Sequence, residues 1–291
     1  DDSMIYSMTG FARRETRESW GSLSCELRSV NHRYLETAWK LPEDLRPVEP
    51  EFRRLASEAL KRGKVECGFR LNYSDADAVG VTLDQQALEG LLEAVETLTG
   101  RLEQAAPVNP MDVLRWPGIV ATEARDTTPV HAAAATLLAG ALEDLRRARA
   151  VEGERLAAMI IERCDGIDAL VAAVRVRLPE VRAGLRSRLQ ERLAGLEVTV
   201  DEDRLEQEVA LLLQKADVDE EVDRLGSHVL EVRRILGQGG PAGRRLDFLM
   251  QELNREANTL ASKSQDQETT RAAVELKVLI EQMREQIQNI E

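Results

Sequence analysis

The sequence predicts an α+β protein, with a small N-terminal α+β unit followed by a long, mostly α-helical C-terminal part. Three observations carry this prediction. Two segments near the N-terminus alternate apolar and polar residues at strand period. A segment between them repeats its apolar residues at helical spacing. From Thr128 onward the pattern is helical almost throughout, and Arg, Glu, Leu and Ala crowd the C-terminal half. The domains are expected at 4–125 and 126–291.

In the first unit, Leu23, Cys25 and Leu27 alternate with Ser24, Glu26 and Arg28. Val65, Cys67, Phe69 and Leu71 do the same with Glu66, Gly68, Arg70 and Asn72. Both read as strands with one buried face. Phe52, Leu55, Ala56, Ala59 and Leu60 form a helical stripe, with Pro47 and Pro50 at its entry and Gly63 past its end. The expected order is strand, strand, helix, strand. A helix from about Asp84 carries the stripe Leu88, Leu91, Leu92, Val95, Leu98 and Leu102. Asn109-Pro110 starts another, and Trp116-Pro117-Gly118 ends it in a turn.

Beyond Thr128-Pro129 a long helical segment reaches about Leu193, with an interruption or bend expected at Pro179. Residues 202–216 form a further helix. Asp217 and Glu220 make a capping pair for the next, which reaches about Leu236. A glycine-rich loop, 237–243, precedes a helix over about Arg244–Asn258. The last helix carries Leu276, Leu279, Ile280, Met283, Ile287 and Ile290. Helices of this length cannot all bury their stripes in one copy, so a homo-oligomer is expected.

Composition narrows the function classes. Of 291 residues, 43% are hydrophobic and 31% charged, enough for a core and against disorder as the main state. No apolar run is long enough for a membrane span. The start Asp1-Asp2-Ser3-Met4 has no basic or apolar leader, Met4 reads as the natural first residue, and three scattered cysteines fit a reducing compartment. A cytoplasmic location is expected. Aromatics at 3% argue against a base-stacking platform. The net charge of −13 opposes polyanion binding, but it is uneven: residues 13–70 carry a net +3, residues 146–192 a net +4, and residues 201–236 a net −6. Such a distribution lets one region hold a polyanion while carboxylates elsewhere hold a cation.

Two helices carry the candidate chemistry. Glu221, Arg224, His228 and Glu231 share one helix face at spacings of 3, 4 and 3. That spacing fits either a chelating His–carboxylate pair or a salt-bridge ladder. Glu252 and Glu256, four apart on the next helix, repel one another unless a cation lies between them. A metal ion or a clustered Arg would relieve that repulsion, and with His228 and Glu231 the two glutamates would give the two-helix carboxylate–His geometry of helical metal sites. Arg244 and Arg245 open a helix after a glycine-rich loop and suit phosphate. In the first unit, Asn31, His32, Arg33 and Tyr34 interrupt the strand alternation with donors, a titratable ring and a stacking face. They suit sugar-phosphate contact or a strand corner.

Longer strings are more specific than any spacing. They are Met4-Ile5-Tyr6-Ser7-Met8-Thr9-Gly10-Phe11-Ala12, Ser29-Val30-Asn31-His32-Arg33-Tyr34-Leu35-Glu36, and Gly243-Arg244-Arg245-Leu246-Asp247-Phe248 continuing through Asn254-Arg255-Glu256-Ala257-Asn258 to Ser262-Lys263-Ser264. With the ending from Glu275-Leu276-Lys277 to Asn289, they resemble the bacterial YicC family, over essentially the whole chain from Met4. The resemblance implies a metal-dependent endoribonuclease acting on RNA, small regulatory RNA included. It also implies a ring-like homohexamer with an enclosed RNA cavity and a link to stress survival.

Together these lead to the expectation that the chain cleaves RNA phosphodiester bonds. His228, Glu231, Glu252 and Glu256 would be the ligands of one divalent ion, Mn²⁺ or Mg²⁺, with the nitrogen favouring Mn²⁺, and His228, Glu252, Glu256 and Arg255 would be the catalytic group. Arg244, Arg245, Arg255 and Lys263 would hold phosphates, and Asn31, His32 and Arg33 would position the RNA. A metal-free route through His32 or His228 as general base is a second enzymatic possibility. The alternative from another class is a non-catalytic adaptor that presents small RNA to another nuclease, with an exoribonuclease as candidate partner. A stress-linked scaffold without an RNA role is a third reading.

Overall fold

The computed structural model describes residues 4–74, 82–121, 126–194, 202–215 and 217–291. The N-terminal unit is built on a four-stranded sheet of β1 (Gly10–Glu18), β2 (Gly21–Val30), β3 (Leu35–Lys40) and β4 (Gly63–Tyr73), in the spatial order β1-β2-β4-β3. β1–β2 and β2–β4 pair antiparallel, and β3–β4 pair parallel. The parallel pair is possible because a crossover lies between its strands: a 3₁₀ turn at Glu43–Val48 and helix α1 (Glu49–Ala59). Three strands thus precede the helix where the sequence order predicted two. Gly21, at φ 142°, closes the β1–β2 turn, and a Cβ there would fall 2.1 Å from the Asn72 carbonyl oxygen.

One sheet face is buried. Leu23, Cys25 and Leu27 of β2 and Val65, Cys67 and Phe69 of β4 pack with Phe52 and Ala56 of α1. The Phe52 ring stacks on Phe69 at 5.1 Å and on Trp39 at 5.9 Å. The alternating positions of all four strands face away from this core and are largely exposed.

A two-stranded ribbon of β5 (Thr82–Leu83) and β6 (Val120–Ala121) brackets α2 (Gln85–Thr99) and α3 (Pro110–Leu114). Asp84 and Asn109 cap these helices through their side chains, as their sequence positions predict. No residue of α2 is buried, and Leu92, Leu98 and Leu102 are exposed.

Helix α4 runs from Thr128 to Ala194, 67 residues, or about 100 Å at 1.5 Å per residue. Its first turns, with Val130, Leu138 and Leu145, complete the sheet's core. Further along, Ile160, Cys164, Ile167 and Val174 enter a second core. One helix therefore serves both cores. The helix continues through Pro179, where an interruption or bend was the sequence expectation.

The second core is a helical bundle of α4 with α6 (Asp219–Gln238), α7 (Gly243–Lys263) and α8 (Gln267–Ile287). α5 (Glu202–Lys215) returns along the far end of α4. α6 begins without a side-chain cap. Asp217 accepts a hydrogen bond from the Asp219 amide, and Glu220 turns to Arg224, so the expected capping pair is not made. Among the described residues, no helix is long and apolar enough to cross a membrane.

The two ends of the described chain meet. Ser7 bridges to Ile290, the Met8 amide donates to the Asn289 carbonyl at 2.7 Å, and the Glu291 amide donates to Tyr6 at 2.9 Å. Beneath them lies Arg149 of α4, only 2% exposed. Its guanidinium donates to the carbonyls of Ser7 and Arg62 and to the Glu291 carboxylate, the last at 2.8 Å. A buried cation survives only when its donors are satisfied, and these three acceptors come from three separate parts of the chain.

Candidate functional site

α6 and α7 are joined by the loop containing Gly239 and Gly240, both at positive φ. Glycine tolerates that backbone and lets the chain reverse within a few residues. The helices then run antiparallel, and their polar edges meet in register. Glu231 near the loop faces Arg245, His228 meets Glu252 and Glu256, Arg224 reaches Glu256, and Glu221 at the far end holds Lys263.

At the middle of this seam, His228, Glu252 and Glu256 each offer one ligand atom, and these atoms lie within 4.8 Å of one another. Glu256 is buried, at 3% exposure, and the other two are half-buried. Leu246, Leu249, Met250 and Leu253 turn their side of α7 into the core, which fixes Glu252 and Glu256 on the opposite edge. Donors held at about 2.1 Å from one ion lie within about 4.2 Å of one another. The three groups therefore need to close by well under 1 Å to share a divalent cation. Two carboxylate oxygens and an imidazole nitrogen suit Mn²⁺, Mg²⁺ or Zn²⁺ in ligand type, with the nitrogen weighting against Mg²⁺.

Glu231, expected as a fourth ligand, is outside this group. Its two oxygens accept from Arg234 at 2.5 and 2.6 Å, and Arg245 lies 3.6 Å away. The hydrogen bonds from Arg234, with the charges of Arg234 and Arg245, hold its carboxyl below the usual range. The reason is geometric: Glu231 sits one turn nearer the loop than His228, opposite the basic start of α7.

Arg224 stands where Glu231 was expected to help. Its Nη1 is 3.5 Å from Glu256 Oε1, and it also pairs with Glu220. At the far end, Lys263 donates to Glu221 Oε1 at 2.8 Å, while Glu221 Oε2 is buried without a partner among the described residues. Lys263 is therefore tied to a carboxylate rather than free. Arg255 is exposed and has no ion-pair partner among the described residues.

The N-terminal candidates divide. Asn31 donates to the Gln288 carbonyl at 2.5 Å, and with Arg33 it lines a cavity of about 500 Å³ together with Arg62, Arg244 and Asp247. The two sequence-distant basic segments thus share one groove. Arg33 also lies over the Tyr34 ring, 5.2 Å from its centroid. His32 does not line the groove. Its Nδ1 meets the Tyr34 carbonyl at 3.1 Å and its Nε2 lies 3.6 Å from Glu36, so it braces the β2–β3 corner. His131 likewise donates from Nε2 to the Asp44 carbonyl at 2.6 Å, a structural role.

Arg62 and Arg224 are additions that sequence reasoning did not assign to the site. Arg224 was visible on the same helix face as His228, but its partner lies on the next helix. Arg62 follows Lys61 just before β4, and only the pairing of the chain's two ends, with Asn31 on Gln288 and Gly243 on Glu291, brings it beside Arg244.

Comparison with known proteins agrees along the whole chain. Residues 5–158 match the model of the Endoribonuclease YicC-like N-terminal region, and residues 174–291 match that of the Endoribonuclease YicC-like C-terminal domain. A protein of Haemophilus influenzae named "Probable endoribonuclease YicC" is 43% identical over 288 residues, covering 99% of this chain and all of the relative. One of the same name from Clostridioides difficile is 31% identical over 293 residues, again covering 99% of this chain and all of the relative. With its strings, its two-part fold and these full-length matches, the chain belongs to the YicC-like endoribonuclease family.

Proposed function

We propose that the protein is a metal-dependent endoribonuclease whose reacting centre is the group His228, Glu252 and Glu256, with RNA as substrate. The observation that carries this reading is the meeting of one imidazole and two carboxylates from two helices, one carboxylate buried, at the middle of a seam otherwise closed by ion pairs. A divalent ion held there would supply a water of lowered pKa and a positive charge to meet the scissile phosphate.

The chain's own residues do the rest. Glu252 and Glu256 present oxygens on one face of α7, and the core beneath them prevents their retreat. Arg224 shares Glu256 and holds it in place. Arg255, exposed one position before Glu256, is placed to neutralise a phosphate that approaches this edge. Arg244 with Asn31, Arg33 and Arg62 forms a groove suited to the flanking phosphates. Lys263, engaged by Glu221, supports α6 against α7 in this reading. The exposed stripe of α2 supports assembly into a homo-oligomer.

A second reading has its own observation. Arg224 already meets Glu256 and Arg245 meets Glu231, so the seam could be a structural ion-pair network in an RNA-binding adaptor. The two differ in one experiment. Highly purified protein is incubated with end-labelled RNA, with Mn²⁺ or with chelator, and Glu252→Gln is run beside it. Cleavage that needs the ion and disappears in the variant, with RNA binding retained, supports the enzyme. Binding without cleavage in any metal supports the adaptor.

A further inference from the structure

The sheet's outer face carries a hollow that the reading above does not use. β4 is an interior strand, and Gly68 lies at its middle. Glycine weakens a strand interior and marks a place where something approaches closely. Among the described residues nothing requires it here. Its φ is not positive, and a Cβ built on Gly68 would meet only the Glu26 carbonyl oxygen, at 4.0 Å.

The hollow over Gly68, about 210 Å³, is edged by Arg13, Arg28, Lys40 and Arg70, with Glu26 and Glu66 between them. Strand register sets these positions. Arg13 is opposite Glu26, Glu26 is opposite Gly68, and Lys40 is level with Gly68 on the other side. Arg28 and Arg70 make no ion pair among the described residues, and the pairs Arg13–Glu15 and Lys40–Glu66 are long, at 3.7 and 3.9 Å. Four cations against two carboxylates leave the rim positive on a chain of net charge −13. Like charges around an open hollow favour an anion from solution.

We infer that this hollow is a second phosphate subsite, which takes the sugar-phosphate backbone of the bound RNA at the glycine floor between Arg28 and Arg70. The absent side chain admits the backbone to the strand surface, and the two free guanidiniums give forked contacts to phosphate oxygens. The inference rests on RNA being the substrate, and its test is chosen to fail separately.

Affinity for a labelled single-stranded RNA is measured across a salt series in chelator, so that no cleavage intervenes. Arg28→Ala with Arg70→Ala is expected to weaken binding about tenfold at moderate salt. The slope of log affinity against log salt should fall by about 1.4, two phosphates' worth. Gly68→Val changes no charge and suits a strand, yet it fills the hollow and should weaken binding about fivefold. Glu26→Gln should tighten it. Wild-type affinity and salt slope in both the double variant and Gly68→Val would overturn the subsite. If the unaltered protein binds RNA in that series and cleaves it once Mn²⁺ replaces the chelator, the proposed function stands without it. If the unaltered protein binds no RNA, that reading fails first.

Discussion

Arg224 Nη1 lies 3.5 Å from Oε1 of Glu256, so the most buried carboxylate of the candidate centre is met by a guanidinium from the facing helix. Arg224 itself is half exposed and shared with Glu220. Glu256 therefore receives only part of the compensation that a buried charge needs, and an ion between it, Glu252 and His228 would supply the remainder.

Removing that arginine tests the balance. Arg224→Ala is expected to cost about 1–3 kcal/mol, the scale for leaving a buried polar group unsatisfied. Mn²⁺ should recover part of this loss, because a ligand that binds only the folded state raises its stability. Urea unfolding with and without Mn²⁺ reads both effects. Equal loss in the two conditions would count against an ion at this seam.

Glu252→Gln keeps the shape of the side chain and removes a charge from a like-charged pair four residues apart. Stability should stay within about 0.5 kcal/mol or rise, the range for a half-exposed substitution. Cleavage should drop at least about 100-fold, on the scale of losing one group of an electrostatic catalytic site, while RNA affinity measured in chelator is unchanged. Wild-type turnover would remove Glu252 from the centre.

Arg149 closes the molecule where both ends of the chain meet. Arg149→Ala leaves Glu291 and two carbonyls without their donor and is expected to cost about 3–5 kcal/mol, as for one partner of a buried ion pair. Arg149→Lys should recover little, because an ammonium cannot reproduce the planar fork. The midpoint of denaturant unfolding checks this. A loss of under about 1 kcal/mol for Arg149→Ala, the scale of an exposed pair, would show the clasp to be incidental.

The cysteines give a pH prediction. Burial in the sheet core pushes the Cys25 and Cys67 thiols up to about 12, and burial in the bundle pushes Cys164 up to about 11. A folded-state pKa above the unfolded value means the native state keeps its proton longer. Stability from these groups is complete below about pH 8.5 and is lost progressively as pH rises toward the folded values. The native protein should resist a thiol reagent at pH 8 and react at three sites once unfolded. Fast reaction of the native protein would contradict the burial.

Much of the architecture is legible in local spacing. The alternation of Leu23, Cys25 and Leu27 gives a strand with one buried face, and the stripe from Leu276 to Ile287 gives a buried helix, because both periods follow from backbone geometry alone, whereas Ile290, expected on the same helix, lies past its end and bridges to Ser7. Asp84 and Asn109 mark helix starts for the same local reason. Pro179 does not interrupt the helix: proline lacks one donor, but the surrounding turns and the packing of Val174 and Leu178 carry the helix past it.

The candidate site is legible only in part. His228, Glu252 and Glu256 stand out by residue type and by i,i+4 spacing, but spacing cannot say which residues of one helix face which of another. The reversal at Gly239 and Gly240 sets that register, matching His228 with the two glutamates and bringing Arg245 to Glu231, which Arg234 already meets from within the same helix. In the same way Arg33 and Arg244, far apart along the chain, share a groove only because Asn31 and the N-terminal segment bond to residues 288–291 beside the start of α7. Period and capping act over a few residues and are written in the chain. Pairing across elements depends on how the buried faces fit together, and that fit exists only once the chain has folded.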